Sequence, residues 1–136
     1  MIIVDSSVWI DYFNGKITPK TNWLDSALGN EPILTGDLIL TEVLQGFQSD
    51  NDFKKAKSLL LSFPVVEMLG QEVALKSAST YRYLRKKGVT IRKTIDVIIG
   101  TFCIYNAFSL LHDDRDFTPL EIHLHLKVIQ TKTNGQ

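Results

Sequence analysis

Apolar residues follow two rhythms along this chain. Five short runs are continuous rather than alternating: Ile2-Ile3-Val4, Ile33-Leu34, Val65-Val66, Leu110-Leu111 and Val128-Ile129. Continuous runs of this length suit strands covered on both faces, as in a parallel sheet. Between them the spacing becomes helical. Leu40, Val43, Leu44 and Phe47 make one apolar stripe, and Phe53, Ala56, Leu59 and Leu60 predict a second helix capped at Ser49 or Asp50. A third helix is expected over residues 71–87, stopped by Gly88. A fourth, over residues 95–108 with Thr94 as its cap, is apolar almost all round, which marks a buried helix. Trp9, Tyr12 and Phe13 fit a short helix directly after the first strand, capped by Asp5, Ser6 or Ser7. Strands alternating with helices predict an α/β fold around a mainly parallel sheet of roughly five strands.

Composition narrows the class. At 136 residues, with 44% hydrophobic and 22% charged side chains, the chain is long enough for a core without disulfides. No repeat or linker divides it, so one domain over residues 1–130 is expected, with 131–136 as a frayed tail. The single cysteine, Cys103, fits a reducing cytoplasmic setting, and no apolar run approaches a membrane span. The N-terminus lacks the basic start of a signal peptide, and Asp5 interrupts its apolar run. Net charge is zero, but its distribution is uneven. Residues 73–95 carry seven basic side chains and no acid, leaving eight basic against fifteen acidic residues elsewhere. Such a segment is either a phosphate-binding face or a solvated helix whose basic end suits the helix dipole.

The candidate chemistry lies where strands end. Sites in open α/β sheets form at the carboxyl ends of strands. The first strand runs into Asp5, and the Leu110-Leu111 strand runs into Asp113, Asp114 and Asp116. Asp96 opens the most apolar helix, and Glu42 sits within a strong helix, off its apolar stripe. Alone, Asp96 reads as a dipole-complementing acid and Glu42 as an exposed one. Converging on one cleft, four or five carboxylates would repel each other and their pKa values would rise. A hard divalent cation resolves that conflict. Carboxylates without His or Cys ligands point to Mg²⁺ or Mn²⁺, and such an ion binds phosphate and activates water for in-line attack on phosphorus.

Four segments together resemble PIN-domain proteins, in particular the VapC-type toxins of bacterial toxin–antitoxin pairs. They are the opening run from Ile2 to Phe13 with Asp5, the stretch Leu40-Thr41-Glu42-Val43-Leu44-Gln45-Gly46-Phe47, the stretch Thr94-Ile95-Asp96-Val97-Ile98-Ile99-Gly100, and Leu110-Leu111-His112-Asp113-Asp114-Arg115-Asp116-Phe117. The terminal strand Leu126-Lys127-Val128-Ile129 closes the same pattern. The resemblance spans nearly the whole chain, in order and in register. It implies a three-layer α/β sandwich and a magnesium-dependent endoribonuclease that inhibits translation. Asp5, Glu42 and Asp96 would be metal-site acids, Asp5 and Asp96 in direct contact, while Glu42 would bind metal or orient the attacking water. Asp114, Asp116 or both would complete the set. Ser6 and Thr94 would hydrogen-bond the carboxylates or a metal-held water. Asp113 stands where the family often carries Asn, adding negative charge beside the site. The resemblance also implies an RNA substrate, a cognate antitoxin that inhibits the enzyme, a homodimer and larger toxin–antitoxin assemblies. An acidic cleft repels RNA, so Arg82, Arg85, Lys86, Lys87, Arg92 and Lys93 become candidate contacts to the RNA backbone.

Other readings weigh less. His123 and His125 suggest a strand-borne metal pair, but no clustered third ligand supports zinc. His112 reads as a strand residue at the cleft rim, Cys103 as a small buried hydrophobe, and Trp9, Trp23, Tyr12 and Phe13 as core or interface aromatics rather than base-stacking groups. Phosphotransfer at Asp5 is disfavoured because Ser7 stands where the phosphatase pattern wants a second Asp. A PIN-like module without catalytic activity, binding RNA or protein, is the alternative; loss of a site acid would mark it, and none is lost.

Overall fold

The computed structural model describes residues 1–131. Strands β1 (Ile2–Val4), β2 (Ile33–Gly36), β3 (Val65–Val66) and β4 (Ser109–Leu111) form one sheet in the order β3-β2-β1-β4. Every pairing is parallel, with Ile2 opposite both Ile33 and Ser109. β1 and β2 are buried along their whole length, as their continuous apolar runs predict. β3 is the edge strand, and Val65 is exposed there. The expected fifth strand shrinks to a single parallel bridge between Leu110 and Val128. Two backbone hydrogen bonds make it, Leu110 N–H to the Lys127 carbonyl at 2.9 Å and Ile129 N–H to the Leu110 carbonyl at 3.0 Å. β4 is three residues long and its chain turns away after Leu111, so the incoming segment finds little edge to pair with.

Helices flank the sheet: α1 (Ser6–Phe13), α2 (Pro19–Ala27), α3 (Asp37–Gln45), α4 (Asp50–Leu60), α5 (Gln71–Lys86), α6 (Thr94–Asn106) and α7 (Thr118–Leu124). Ser49 caps α4 through a hydrogen bond from Asp52 N–H, and α5 ends before Gly88, whose φ of 81° is left-handed. No strong apolar stripe announces α2. Its signal is a capping box in which Thr18 and Thr21 satisfy each other's backbone, with Pro19 in the first turn. α6 begins one residue earlier than expected. Thr94 is already helical, and Lys93 holds the cap position without a side-chain cap bond.

The core gathers β1, β2, β4 and the inner faces of the helices, with Trp9, Ile3, Ile39, Ile99, Leu110, Phe117 and Leu120 fully buried. Trp9 stacks on Phe13 at 5.6 Å, which makes this aromatic group core rather than a base-stacking surface. α7 lies so close to α6 that a Cβ on Gly100 would collide with the Leu120 side chain. His123 is in α7 and His125 caps its C-terminus at φ 58°, so the pair is not on a strand and does not share a face. Residues 132–136 of the expected tail lie outside the described residues. No described helix is long and apolar enough to cross a membrane.

Candidate metal centre

Because Val4 is in register with Leu111, the residues that follow β1 and β4 emerge side by side on one edge of the sheet. Asp5 is the first of them. Its backbone N–H donates to the Leu111 carbonyl at 2.9 Å, and its side chain caps α1. Asp5 Oδ2 accepts from Ser7 N–H at 3.1 Å and from Ser7 Oγ at 2.6 Å. Ser7 Oγ in turn accepts from the Asp113 backbone N–H at 3.1 Å, tying the two strand ends together. Ser6, expected to hydrogen-bond a site carboxylate, donates to Glu42 Oε1 at 3.2 Å. Thr94 is exposed, and no hydrogen bond to a carboxylate is present for it among the described residues.

The segment after β4 is a short, internally bonded loop. Asp116 N–H donates to Asp114 Oδ1 at 2.9 Å, which caps a 3₁₀ turn at Arg115–Phe117. Asp114 N–H donates to His112 Nδ1 at 3.2 Å. The His112 proton therefore resides on Nε2, which donates to Glu121 Oε2 at 2.8 Å. A buried imidazole thus links the loop to α7. These constraints bring Asp114 and Asp116 to the start of α6. Asp96, Asp114 and Asp116 each offer one carboxylate oxygen, all within 4.8 Å of one another. Asp5 and Glu42 stand outside this trio, but the charge of Asp5 is felt at both Glu42 and Asp96.

The electrostatics are those of an under-neutralised pocket. Asp96 is 3% exposed, and burial, followed by the charge of Asp5, pushes its pKa up to about 6 against the opposing pull of Lys93. Burial also raises Asp5, against the bonds from Ser7. Burial, then Asp5, raises Glu42. Burial pushes Asp114 upward too, yet the hydrogen bonds from Lys93 and the Asp116 N–H and the nearby charges of Lys93 and His112 together outweigh it and leave that carboxyl below its ordinary value. Lys93 was not legible as part of this cluster. Its Nζ lies 2.6 Å from Asp114 Oδ2 and 3.2 Å from Asp96 Oδ2. Three buried oxygens, Asp5 Oδ1, Asp96 Oδ2 and Asp116 Oδ2, have no hydrogen-bond partner. The Lys93 contact to Asp96 is a charge contact without hydrogen-bond geometry.

Orphaned acceptors on acids this deeply buried are costly unless a cation or donors meet them. An all-oxygen set of this kind fits Mg²⁺ or Mn²⁺, which accept few carboxylates together with water. Of the basic candidates, Arg85 lies over Tyr81 and Lys87 over Tyr83, while Lys86 and Arg92 are exposed. Arg82 lines a groove of about 440 Å³ between α5 and α6, whose wall includes Thr94 and Val97, the neighbours of Asp96.

The PIN domain family model matches residues 2–121. The chain belongs to the PIN domain family. Among proteins similar to it, a VapC ribonuclease of Mycobacterium bovis and ribonuclease VapC11 of Mycobacterium tuberculosis are each 27% identical over 119 residues, covering 86% of this chain and 89% of theirs. Its PIN fold is shared by VapBC2 from Rickettsia felis, solved bound to a promoter DNA fragment, with a TM-score of 0.76 at 16% identity over 97% of this chain and 100% of that one. FitAcB from Neisseria gonorrhoeae gives 0.75 at 17% identity, covering 96% and 97%. The sarcin–ricin-loop-cleaving toxin VapC20 of Mycobacterium tuberculosis gives 0.64 at 16%, covering 87% and 93%.

Proposed function

We propose that this PIN-domain protein is a divalent-metal-dependent endoribonuclease of the VapC toxin type, forming one catalytic domain over residues 1–130 and inhibited by a cognate antitoxin. The observation that carries the reading is the convergence of Asp96, Asp114 and Asp116, with buried oxygens that lack hydrogen-bond partners. The ribonuclease relatives and the structural neighbours solved as toxin–antitoxin complexes support the substrate class and the partner.

Asp96, Asp114 and Asp116 would hold Mg²⁺ or Mn²⁺, with Asp5 completing the negative field. When bound, the ion supplies charge neutralisation at the scissile phosphate and a lowered pKa for water. The chain's own residues do the rest. Ser7 fixes the rotamer of Asp5, leaving Asp5 Oδ1 buried without a hydrogen-bond partner. Ser6 fixes Glu42, whose half-buried carboxylate orients the attacking water and accepts its proton. Its raised pKa brings that acceptor closer to neutrality. The Glu121–His112 pair holds the Asp114–Asp116 loop in place. Arg82, Arg85, Lys86, Lys87 and Arg92 draw the RNA backbone toward an otherwise repelling cleft. The protein acts as a homodimer that joins its antitoxin in a larger assembly, and an antitoxin Arg or Lys placed in the acidic cleft would compete with metal.

The test is cleavage of total cellular RNA by the purified, antitoxin-free protein, with Mg²⁺ or Mn²⁺, with EDTA, and with Asp96→Asn. Discrete fragments that require metal and disappear in the variant are expected. A folded protein that cuts nothing under either metal would instead be a binding module. Fragments that persist in EDTA and in Asp96→Asn would overturn the site assignment.

A further inference from the structure

Five carboxylates surround the candidate centre, and one ammonium stands among them. Lys93 Nζ contacts Asp114 Oδ2 at 2.6 Å and Asp96 Oδ2 at 3.2 Å, two of the three acids that converge. Its position follows from local structure. Lys93 occupies the cap position of α6 with extended backbone, φ −108° and ψ 112°, and Asp96 lies three residues on, in the first turn. The ion pair with Asp114 then bridges α6 to the loop after β4, 21 residues away. The side chain remains half exposed, so the two ion pairs alone hold the ammonium where it is. Other nearby cations make no such contact: Lys20 and Arg115 line a small cleft beside Asp113 and Asp114, and neither forms an ion pair among the described residues.

A metal ion shared by Asp96 and Asp114 competes with this ammonium for the same carboxylates. A lysine ammonium is a compact point charge on a four-carbon tether, easily redirected and well suited to a phosphate. We propose that Lys93 is a built-in counterion of the metal-free site, displaced when a divalent ion binds, and that the released ammonium then contacts the phosphate of the incoming RNA strand. This inference rests on the metal-centre reading above and gives Lys93 two successive anionic partners. In the metal-free protein it relieves repulsion between Asp96 and Asp114. In the loaded protein it supplies positive charge next to a centre that a single divalent ion leaves negative.

The experiment compares wild type, Lys93→Met and Lys93→Arg as full-length protein. Thermal unfolding is followed across a MgCl₂ titration, and cleavage of a short fluorogenic RNA is measured at saturating Mg²⁺. Lys93→Met should unfold at lower temperature in EDTA and take up Mg²⁺ at roughly fivefold lower concentration, the scale of losing two partly exposed ion pairs. At saturating Mg²⁺ its KM for RNA should rise by about fivefold, with kcat changed less. Lys93→Arg should stay near wild type in all three. A Mg²⁺ midpoint for Lys93→Met equal to or above that of wild type overturns the counterion role, and an unchanged KM overturns the phosphate contact. If wild type and Asp96→Asn show the same absence of any Mg²⁺ response, the metal-centre reading itself fails, and this inference with it.

Discussion

The carboxylates of the site differ in what the fold asks of them. Asp96 carries the largest conflict, buried at 3% exposure with a pKa raised to about 6 from 3.8. Because the folded value exceeds the unfolded one, this group's contribution to stability is complete below about pH 4 and is lost as pH rises through about 6. In EDTA the wild-type protein should therefore lose stability between pH 5 and pH 7.5, by on the order of 1 kcal/mol from this group. Asp96→Asn should flatten that slope. At pH 7.5 in EDTA it should melt about 3–6 °C above wild type, and added Mg²⁺ should restore wild type while leaving the variant unmoved. Calorimetry at the two pH values, with and without MgCl₂, checks each part. A variant that melts lower than wild type in EDTA would show that Asp96 is stabilising as an anion, held by Lys93. At this scale the aspartates were legible because each follows a strand or opens a helix, whereas Glu42 lies inside α3. The residues that hold them were less so. Whether Ser6 or Ser7 turns back onto Asp5 is decided by the cap conformation at Asp5. Lys93 read as one basic residue among seven, since its partner Asp114 is distant in sequence.

Elements were legible where burial imposed a rhythm. β1, β2, β4, α3, α4, α5 and α6 follow their apolar patterns to within a residue or two. α2 rests on capping chemistry instead, and α7 was hidden because residues 123–129 read as the approach to a terminal strand. α7 matters because it anchors the acidic loop from behind. Gly100 permits that anchoring. Within a helix a Gly→Ala change ordinarily stabilises by up to about 1 kcal/mol. Here the added Cβ meets Leu120, a fully buried side chain on α7. Overpacking of this kind costs about 1–3 kcal/mol, so Gly100→Ala should be destabilising on balance in urea denaturation. The clash lies between the helix that carries Asp96 and the helix that follows Asp116, so Mg²⁺ uptake should weaken as well. Combining it with Leu120→Ala, which vacates the contested space, should give a loss smaller than the two single losses combined. Strict additivity in that cycle would mean that the two helices do not set the geometry of the acids.

On the scale of the whole molecule, a neutral chain is divided into an acidic sheet edge and a basic helical flank. The C-terminal half of α5 runs beside the start of α6, where Arg82 shares a groove with Thr94 and Val97. Arg82 therefore borders the turn of α6 that carries Asp96. Aromatic rings hold other cations of this flank in place: Arg85 over Tyr81 at 5.7 Å and Lys87 over Tyr83 at 5.5 Å. A positive flank beside a negative centre would gather a polyanion and leave its scissile phosphate as the group that must meet the acids. Two explanations of this flank remain distinct in their consequences. If Lys86 and Lys87 only complement the end of the α5 dipole, reversing them costs a few tenths of a kcal/mol of stability and nothing in RNA binding. If they contact phosphates, Lys86→Glu with Lys87→Glu should weaken binding across unrelated RNA sequences alike. It should also lower the slope of log affinity against log salt by roughly 1.4, since each lost single-strand contact accounts for about 0.7. Fluorescence anisotropy in EDTA separates the two across a KCl series. An unchanged slope would assign the flank to helix stability and move the search for RNA contacts to Lys20 and Arg115, which line the cleft beside Asp113 and Asp114.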